Sequence, residues 1–524
     1  MQPAAVAPGL ISLCRIADRS VRFGALDPFL NTSRAAGFLR WGPSLSALVH
    51  ASALRWPRRA AVVDDAGTLT YRQLERHANS LANFLRADGD GPVGLLCRNH
   101  RGFPLAQLAI ERAGRDVVML STALPAKRLR SIVDREQLGL LIADDEFKDR
   151  LREAGVAARV VPADPALLKT WARPGYCHAP TRRSETIMLT SGTTGPPKGA
   201  RRSRQAPAVA DFGLLDAMPI RTGDVTLVAS PLFHAWGLAQ SSIALATGST
   251  LIVQSKFDPD STLKALGEHR PTMLAVVPLM LSRLLDAADS GHDLSHLRAV
   301  LCSGNVLSAT LAQAWIERFG PNLYNIYGST ETAIASIATP QDLIDAPGTV
   351  GKPPSGVTVT ILGDDDLPAP RGELGRVFTS NSMQFDGYTD GSDRIRHGNL
   401  MATGDLGYLD PSGRLFVDGR ENDLIVTGGE NVFPSMIEEV LEQNPDIVQA
   451  AVVGLPDAEY GQRVAAFVVT DSNVATSDLD AWCRQNLAPF QRPREFRRVD
   501  ALPMTTTGKV IRHALATLGL PEHI

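Results

Sequence analysis

Hydrophobic and polar positions follow two patterns along most of the chain. Short apolar runs recur between about residues 45 and 415, among them "VTLVASP", "GSTLIVQ", "PTMLAVVP" and "LRAVLCSG". Such runs are typical of strands that helices cover on both faces. Other segments, for example "TYRQLERHANSLANFLRA", repeat apolar residues at helical spacing and begin with a threonine that can cap a helix. The alternation of these two patterns predicts an α/β fold.

The pattern begins again after "GRLFVDGREND", with "IEEVLEQNP" as a helix and "VQAAVVGLP" and "RVAAFVVTD" as strands. We therefore expect a large N-terminal domain at residues 45–418, a hinge at 419–422 and a small α+β domain at 423–524. Residues 1–44 lack the early basic region and apolar core of a secretory signal. We interpret them as an N-terminal extension at the surface.

The composition is that of an ordinary enzyme-sized protein. The chain has 524 residues, a net charge of -3, 44% apolar residues and 21% charged residues. The basic stretches "TRRSE" and "ARRSRQ" are short and contain no interleaved aromatic residues, so we expect no nucleic-acid partner. The sequence does not favour one oligomeric state over another.

Two further observations bear on location. The most apolar segment, "MLAVVPLMLSRLL", is shorter than the roughly 18 residues of a membrane span and contains a proline and an arginine. We expect no transmembrane segment, and peripheral contact with a membrane is left open. The five cysteines are odd in number and widely separated, which is typical neither of a disulfide framework nor of a metal site. A reducing cytoplasm is the simplest expected location.

The segment "IMLTSGTTGPPKGARRS" combines an apolar strand with a loop rich in glycine and hydroxyl groups. Glycines allow several backbone N–H groups to converge, and such nests bind anions. The spacing differs from that of a P-loop, in which glycine precedes the lysine directly, because Pro197 precedes Lys198 here. A plain surface turn would explain neither the lysine nor the clustered threonines. The loop therefore indicates a phosphate site.

Four later segments occur with this loop: "NIYGSTET", "ATGD", "DGRENDLIVTGGENVFPSMIEEV" and "LPMTTTGKVIR". Together the five segments resemble, in identity and order, the signatures of the AMP-forming acyl-adenylating enzymes. That superfamily includes acyl-CoA synthetases, the adenylation domains of peptide synthetases and beetle luciferases. The resemblance extends over about residues 45–515. It implies a large domain of stacked sheets and helices, a small mobile C-terminal domain and an active site between them.

The resemblance implies a set of residues for each ligand. ATP or AMP would contact Thr190, Ser191, Gly192, Thr193, Thr194, Gly195, Lys198, Gly304, Tyr327, Gly328, Thr330, Asp405, Arg420 and Lys509. Thr190 and Glu331 would hold Mg²⁺ through oxygen ligands. Lys198 would supply positive charge at the phosphates, and Lys509 would stabilise charge during adenylation. A surface salt bridge for Glu331 and a turn cap for Asp405 are the alternative interpretations.

Within this frame the ring of Tyr327 would stack on adenine, Thr330 would donate to the α-phosphate and Asp405 would accept from the ribose hydroxyls. Arg420 would reach the ribose or a phosphate where the hinge begins. Relatives commonly have aspartate or lysine at the pivot, and this chain has Asn422. The neighbouring segment "CSGNVLS" keeps a glycine, Gly304, and otherwise departs from the family's turn along the adenine.

The resemblance also implies residues for the acyl pocket and for the CoA site. In "PLFHAWGL", His234 would line the entrance of the acyl pocket and act catalytically, beside Trp236 and Gly237. A satisfied core histidine is the alternative. Gly428 and Gly429 would let pantetheine pass, and the ring of Tyr460 would stack on the adenine of CoA. Alternatively, the two glycines only form a turn before a helix.

We therefore expect an ATP-dependent ligase that activates a carboxylic acid as acyl-AMP and then forms acyl-CoA, with ATP, CoA and Mg²⁺ required. The segment from Val93 to Leu124 resembles fatty-acid-activating synthetases of actinobacteria and favours a medium- or long-chain fatty acid. Aromatic and branched acids stay open. One alternative is an acyl-AMP ligase that loads a carrier protein. Another is a non-catalytic relative that binds acyl-AMP.

Overall fold

The computed structural model describes residues 27–164, 173–190, 198–202, 217–289, 291–457, 459–470, 474–505 and 508–518. In chain order the first strands are β1 (Ala60–Asp64), β2 (Gly67–Thr70), β3 (Val93–Leu96), β4 (Val117–Met119), β5 (Leu140–Ala143), β6 (Arg159–Pro162), β7 (Thr186–Thr190), β8 (Lys198–Arg202), β9 (Val225–Val228), β10 (Thr250–Val253), β11 (Met273–Val276) and β12 (Ala299–Ser303). The remaining strands are β13 (Leu323–Ser329), β14 (Ala333–Ala338), β15 (Thr358–Leu362), β16 (Gly375–Ser380), β17 (Phe385–Tyr388), β18 (Arg396–His397), β19 (Leu400–Leu409), β20 (Leu415–Arg420), β21 (Ile425–Thr427), β22 (Glu430–Val432), β23 (Ile447–Asp457), β24 (Gly461–Thr470) and β25 (Glu495–Arg498).

The helices are α1 (Pro28–Trp41), α2 (Leu45–Arg55), α3 (Tyr71–Asp88), α4 (Gly102–Ala113), α5 (Ala126–Arg135), α6 (Lys148–Glu153), α7 (Ala235–Ala246), α8 (Pro259–His269), α9 (Pro278–Ala287), α10 (Ala309–Phe319), α11 (Pro340–Asp345), α12 (Pro434–Glu442), α13 (Thr476–Asn486) and α14 (Arg512–Leu518). Short 3₁₀ turns occur at Asp145–Phe147, Glu421–Asp423 and Pro489–Gln491.

Two largely parallel sheets form the centre of the larger part. The first has eight strands in the order β14-β13-β12-β11-β9-β10-β1-β2, and the second has seven in the order β17-β8-β7-β4-β3-β5-β6. Antiparallel pairs lie at the edges of both sheets, where β2, β14, β8 and β17 join. The inner strands are buried throughout, which explains their continuous apolar runs.

Helix α3 shows how local sequence produces these elements. The Thr70 side chain accepts from the backbone N–H of Gln73, and the Gln73 side chain accepts in return from the backbone N–H of Thr70, which closes a capping box. Leu74, Leu81 and Leu85 repeat along one face and are buried in the core between the sheets. Part of the predicted extension is also folded, because α1 packs against α2 and buries Trp41.

A third sheet of five antiparallel strands leads to the end of the large part. Its order is β15-β16-β19-β18, with β20 paired to β19. The fourth sheet belongs to the C-terminal part and has the order β22-β21-β24-β23, with β25 parallel to β24. Apolar clusters cover both of its faces, one beneath α12 and α13 and one beneath α14.

The predicted α/β fold with a large N-terminal domain and a smaller C-terminal domain is confirmed by this architecture. Across the described residues, no helix has both the length and the apolar character that a membrane crossing requires. Cys97, Cys177, Cys302 and Cys483 are buried free thiols.

Candidate active site

The predicted phosphate loop connects two paired strands at the end of the second sheet. Thr190 ends β7 and Lys198 begins β8, and the two residues face each other in the antiparallel ladder. The Thr190 hydroxyl donates to the Lys198 carbonyl oxygen at 3.3 Å. The loop residues Ser191, Gly192, Thr193, Thr194 and Gly195 lie outside the described residues. The strand pairing nevertheless brings the two ends of the loop together.

The ammonium group of Lys198 lies in a polar cluster built on the chain after β17. It donates to the Ser392 hydroxyl at 2.8 Å and pairs with the Asp390 carboxylate at 3.1 Å. It also lies 5.3 Å from the centre of the Tyr388 ring. The pairing of β17 with β8 is what places these residues beside Lys198.

Tyr388 also contacts the buried carboxylate of Glu331. Its hydroxyl donates to Glu331 Oε1 at 2.7 Å, and Arg394 Nη2 lies 3.5 Å from the same oxygen. Burial alone would raise the pKa of Glu331, but the Tyr388 hydrogen bond and the Arg394 charge lower it below its usual value. Glu331 is therefore ionised at neutral pH although it is buried.

A second polar group joins the first and third sheets. The Tyr327 hydroxyl donates to Asp405 Oδ2, and Arg420 Nε lies 2.8 Å from Asp405 Oδ1. Asp405 and Arg420 face each other in the β19–β20 ladder. Burial, with the neighbouring Asp405 charge, raises the pKa of Tyr327 well above its usual value, so the phenol is a hydrogen-bond donor throughout the ordinary pH range.

The residues beside Tyr327 are held by backbone contacts. A Cβ atom on Gly328 would lie 1.8 Å from the Ala333 carbonyl oxygen, so the neighbouring strand β14 requires a glycine at this position. The half-buried Arg202 side chain donates to the Thr330 carbonyl oxygen at 2.7 Å. These contacts fix the turn that connects Tyr327 to Glu331.

The C-terminal segment completes the cluster. The charged groups that act on Lys509 are those of Arg420, Asp423, Asp405 and Arg512. Burial and the like charge of Arg420 lower the pKa of Lys509. Asn305 Nδ2 donates to the Gly508 carbonyl oxygen at 3.2 Å and so anchors the lysine loop to the large domain.

The residues predicted for the acyl pocket lie at the start of α7. His234 is the N-cap residue, and burial lowers its pKa to about 4. Trp236 Nε1 donates to the Val276 carbonyl oxygen at 3.0 Å. Gly237 is buried in the first turn of the same helix. Gly304 lies on the exposed turn after β12.

The residues predicted for CoA lie apart from this cluster, on the fourth sheet. Gly428 and Gly429 form the exposed turn between β21 and β22, and Gly428 N donates to the Tyr460 carbonyl oxygen at 2.9 Å. The Arg494 guanidinium stacks 3.7 Å from the centre of the Tyr460 ring. Asn422 is exposed in the 3₁₀ turn that follows β20.

Comparison with known proteins identifies the family of this chain. The AMP-binding enzyme family matches residues 49–389, and the AMP-binding enzyme C-terminal domain matches residues 436–509. The chain belongs to the AMP-binding enzyme family. ATP and CoA are the substrates that go with AMP-forming CoA ligases of this family, and Mg²⁺ is typical of it.

Curated relatives align over nearly their whole length. The chain is 31% identical over 479 residues to the 2-succinylbenzoate–CoA ligase of Bacillus pumilus, which covers 88% of this chain and 96% of that protein. It is 30% identical over 493 residues to the sulfoacetate–CoA ligase of Cupriavidus necator. This match covers 90% of this chain and 96% of that protein. The solved structure of ATP-bound MatB from Rhodopseudomonas palustris gives a TM-score of 0.81 at 28% identity, covering 90% of this chain and 98% of that chain.

The predicted superfamily is confirmed, and so is the broad class of an ATP-dependent acid–CoA ligase that works through acyl-AMP. The Bacillus and Cupriavidus relatives are named for 2-succinylbenzoate and sulfoacetate, neither of which is a fatty acid. Fatty-acid specificity therefore stays a prediction.

The sequence of this AMP-binding enzyme did not indicate Tyr388 and Arg394, which contact Glu331 from 57 and 63 residues away. A buried carboxylate requires cationic or hydrogen-bonding partners, so partners of this kind could be expected for Glu331 in general terms. The sequence contains many arginines and gives no means to select Arg394 among them.

Proposed function

We propose that this AMP-binding enzyme is an acid–CoA ligase that performs both half-reactions with the cluster described above. The observation that supports it best is the position of Lys509. This lysine, carried by the C-terminal segment, lies in the electrostatic field of Asp405 and Arg420, and the Asn305–Gly508 hydrogen bond fixes its loop. Such an arrangement suits the first half-reaction, in which charge develops on the acid and the α-phosphate.

In this proposal the ends of the phosphate loop receive the triphosphate of ATP. Lys198 would exchange its contacts with Ser392 and Asp390 for the phosphates, since an exposed ion pair is easily replaced. Asp405 would accept from the ribose while Tyr327 and Arg420 hold its carboxylate in place. The acid's carboxylate oxygen then attacks the α-phosphorus, and pyrophosphate leaves.

The site fits a magnesium ion. Glu331 is a buried carboxylate that Tyr388 and Arg394 keep ionised, and carboxylate oxygens are ligands that Mg²⁺ prefers. Glu331 and the Thr190 hydroxyl would hold the ion. Bound Mg²⁺ would neutralise phosphate charge as pyrophosphate forms.

The second half-reaction requires a different face of the C-terminal domain. We propose residues 419–422 as the pivot between the domains at 45–418 and 423–524, with Asn422 exposed within it. Rotation there would remove Lys509 and present the Gly428–Gly429 turn. The CoA thiol would then attack the acyl carbon and release AMP. The ring of Tyr460, on which Arg494 stacks, would face the adenine of CoA.

Two classes of acid are candidates for the pocket beside α7. A medium- or long-chain fatty acid is the class that the sequence resemblance favours. Compact acids with further polar groups are the second class, supported by the relatives named for 2-succinylbenzoate and sulfoacetate. In both cases His234 would line the entrance as a neutral imidazole, because burial lowers its pKa to about 4.

One assay tests the proposal. Purified protein is given ATP, Mg²⁺ and a panel of carboxylic acids, with and without CoA, and pyrophosphate and acyl-CoA are measured. Acid-dependent pyrophosphate release and CoA-dependent thioester are expected. Glu331→Gln should reduce pyrophosphate release at least about tenfold, since a neutral amide holds Mg²⁺ less well. The exposed Glu317→Gln serves as its matched control.

The assay also separates the alternatives. Pyrophosphate release that CoA does not turn into thioester would indicate a carrier protein as the acceptor. Absence of release with every acid would overturn the proposal and favour a non-catalytic binding protein.

A further inference from the structure

Helix α7 contains a buried polar side chain, that of Gln240. This residue is 2% exposed, and its Nε2 atom has no hydrogen-bond partner among the described residues. If the amide nitrogen and oxygen are exchanged, Oε1 takes the position of Nε2, so one end of the amide still has no partner. Buried amides in proteins are nearly always hydrogen-bonded, so an unpaired amide requires an explanation.

The position of Gln240 on its helix suggests what the amide faces. Trp236, Gln240 and Ile243 follow one another at helical spacing along one side of α7. Trp236 and Ile243 both pack against the apolar cluster on the first sheet that includes Leu301 and Ile326. Gln240 therefore lies between two side chains that contact this face of the sheet, the face that carries the Ile326 side chain.

The cluster against which Trp236 and Ile243 pack is apolar. The buried members of the cluster are Met218, Ile220, Met273, Ala299, Leu301, Ile326 and Ile337. The indole N–H of Trp236, the neighbouring polar group on this side of α7, already donates to Val276. An unsubstituted alkyl chain beside Gln240 would leave its Nε2 atom unpaired.

We propose that Gln240 is a specificity-determining residue that donates a hydrogen bond to an acceptor in the body of the acid. This inference rests on the proposed function and narrows the class of acid that the enzyme would activate. The substrate class is a carboxylic acid with an acceptor oxygen, such as a keto group, between the reacting carboxylate and the end of the molecule. A plain fatty acid has no such group.

Helix geometry limits where the acceptor lies. Gln240 follows His234 by six residues, so the two Cα atoms are separated by about 9 Å along the helix axis. The two positions are also about 120° apart around the axis, and side chains on a helix lean toward its N-terminus, which shortens the axial separation of the amide from the pocket entrance. We therefore compare acceptors on the fourth, fifth and sixth carbons of the acid.

The test compares octanoate with 4-oxo-, 5-oxo- and 6-oxo-octanoate as substrates of the full chain. The rate of pyrophosphate release at several acid concentrations gives kcat/KM for each acid. We expect at least one oxo acid to exceed octanoate by tenfold or more, because a site built to hydrogen-bond a substrate disfavours the analogue that lacks the group.

Two variants connect the preference to Gln240. In Gln240→Leu, the ratio of kcat/KM between the preferred oxo acid and octanoate should fall below about threefold. Ser241→Ala is the matched control, because Ser241 is buried on the same helix and its hydroxyl donates to Leu238. It should keep the ratio of the wild-type protein. Thermal unfolding with ATP checks that both variants are folded.

The outcomes separate this inference from the proposed function. Pyrophosphate release with no preference for any oxo acid would overturn the role of Gln240 and leave the ligase activity standing. A preference that persists in Gln240→Leu would also overturn it. If the broad acid panel and all four octanoates give no release, both the inference and the proposed function are wrong.

Discussion

The Tyr327 hydroxyl donates a hydrogen bond to the Asp405 carboxylate, and so connects the end of the first sheet to the third. Arg420 holds the other oxygen of that carboxylate at 2.8 Å. Tyr327 therefore contributes a hydrogen-bond donor as well as a flat ring. Its hydroxyl and Arg420 together fix the orientation of the Asp405 carboxylate, which in the proposed function would accept from a ribose.

This relationship predicts the effect of Tyr327→Phe, which keeps the ring and removes the hydroxyl. We expect kcat/KM for ATP to fall roughly 5- to 30-fold, since a hydrogen bond to a charged group contributes about 1.5–3 kcal/mol and Arg420 retains part of the orientation. Steady-state kinetics with varied ATP measure it. Tyr408→Phe is the matched control on β19, where the ring stacks on Phe416. Equal kinetics for both variants would contradict the role of the hydroxyl.

Tyr388→Phe should change the pH dependence of adenylation. The Tyr388 hydrogen bond helps to lower the pKa of Glu331, while burial raises it, so removal of the hydroxyl should raise that pKa. The ionised carboxylate is then lost at a higher pH as the solution is acidified. We expect the acid limb of pyrophosphate release to move to higher pH, with the plateau above neutral pH less affected. Tyr176→Phe, a change at an exposed side chain, should leave the limb in place.

Lys509→Ala should separate the half-reactions. Loss of this charge should reduce acyl-AMP formation by about 10² or more, as for other contacts made to transition-state charge. Thioester formation from supplied acyl-AMP and CoA should persist, because the proposed rotation removes the lysine before that step. Both reactions are measured on the same preparation, with the exposed Lys264→Ala as control. Loss of both activities, or of neither, would refute a lysine that serves adenylation alone.

Gly429→Leu should affect the other half-reaction. The turn is exposed and no atom lies within 4 Å of a Cβ built on Gly429, so the leucine would project into the proposed pantetheine path. We expect acyl-AMP formation to be spared and thioester formation to slow. Because Gly429 has a φ of 87°, the variant also carries backbone strain.

Gly372→Leu is the matched control for that strain, since Gly372 has a φ of 88° and equally open surroundings. It should slow neither half-reaction. If Gly429→Leu slows both half-reactions equally, the turn is structural and not a CoA channel.

Sequence periodicity predicted the elements well where burial is uniform. The apolar runs became β9, β10, β11 and β12, and the threonine-capped segment became α3 with the expected N-cap, Thr70. Motif resemblance also selected Lys198 and Glu331, which the structure connects through Tyr388. In both cases the information is local, so that one segment is sufficient to show it.

The partners of these residues could not be predicted in the same way. Tyr388 reaches Lys198 and Glu331 only because β17 pairs with β8 in one register, and hydrophobic alternation does not specify which strands are neighbours. The sequence did not indicate that the Gln240 amide is buried either, because a glutamine on a helix is usually solvated. Its burial depends on how α7 packs against the first sheet.

The hydrogen bond between Asn305 and Gly508 joins segments that are 203 positions apart in the chain. A nucleotide bound between Asp405, Arg420 and Lys509 would strengthen that junction, since its binding free energy is available only while both parts are folded and docked. The ligand would then act as a thermodynamic tether. Saturated protein would melt as one cooperative unit, and each part of the nucleotide-free chain would follow its own transition.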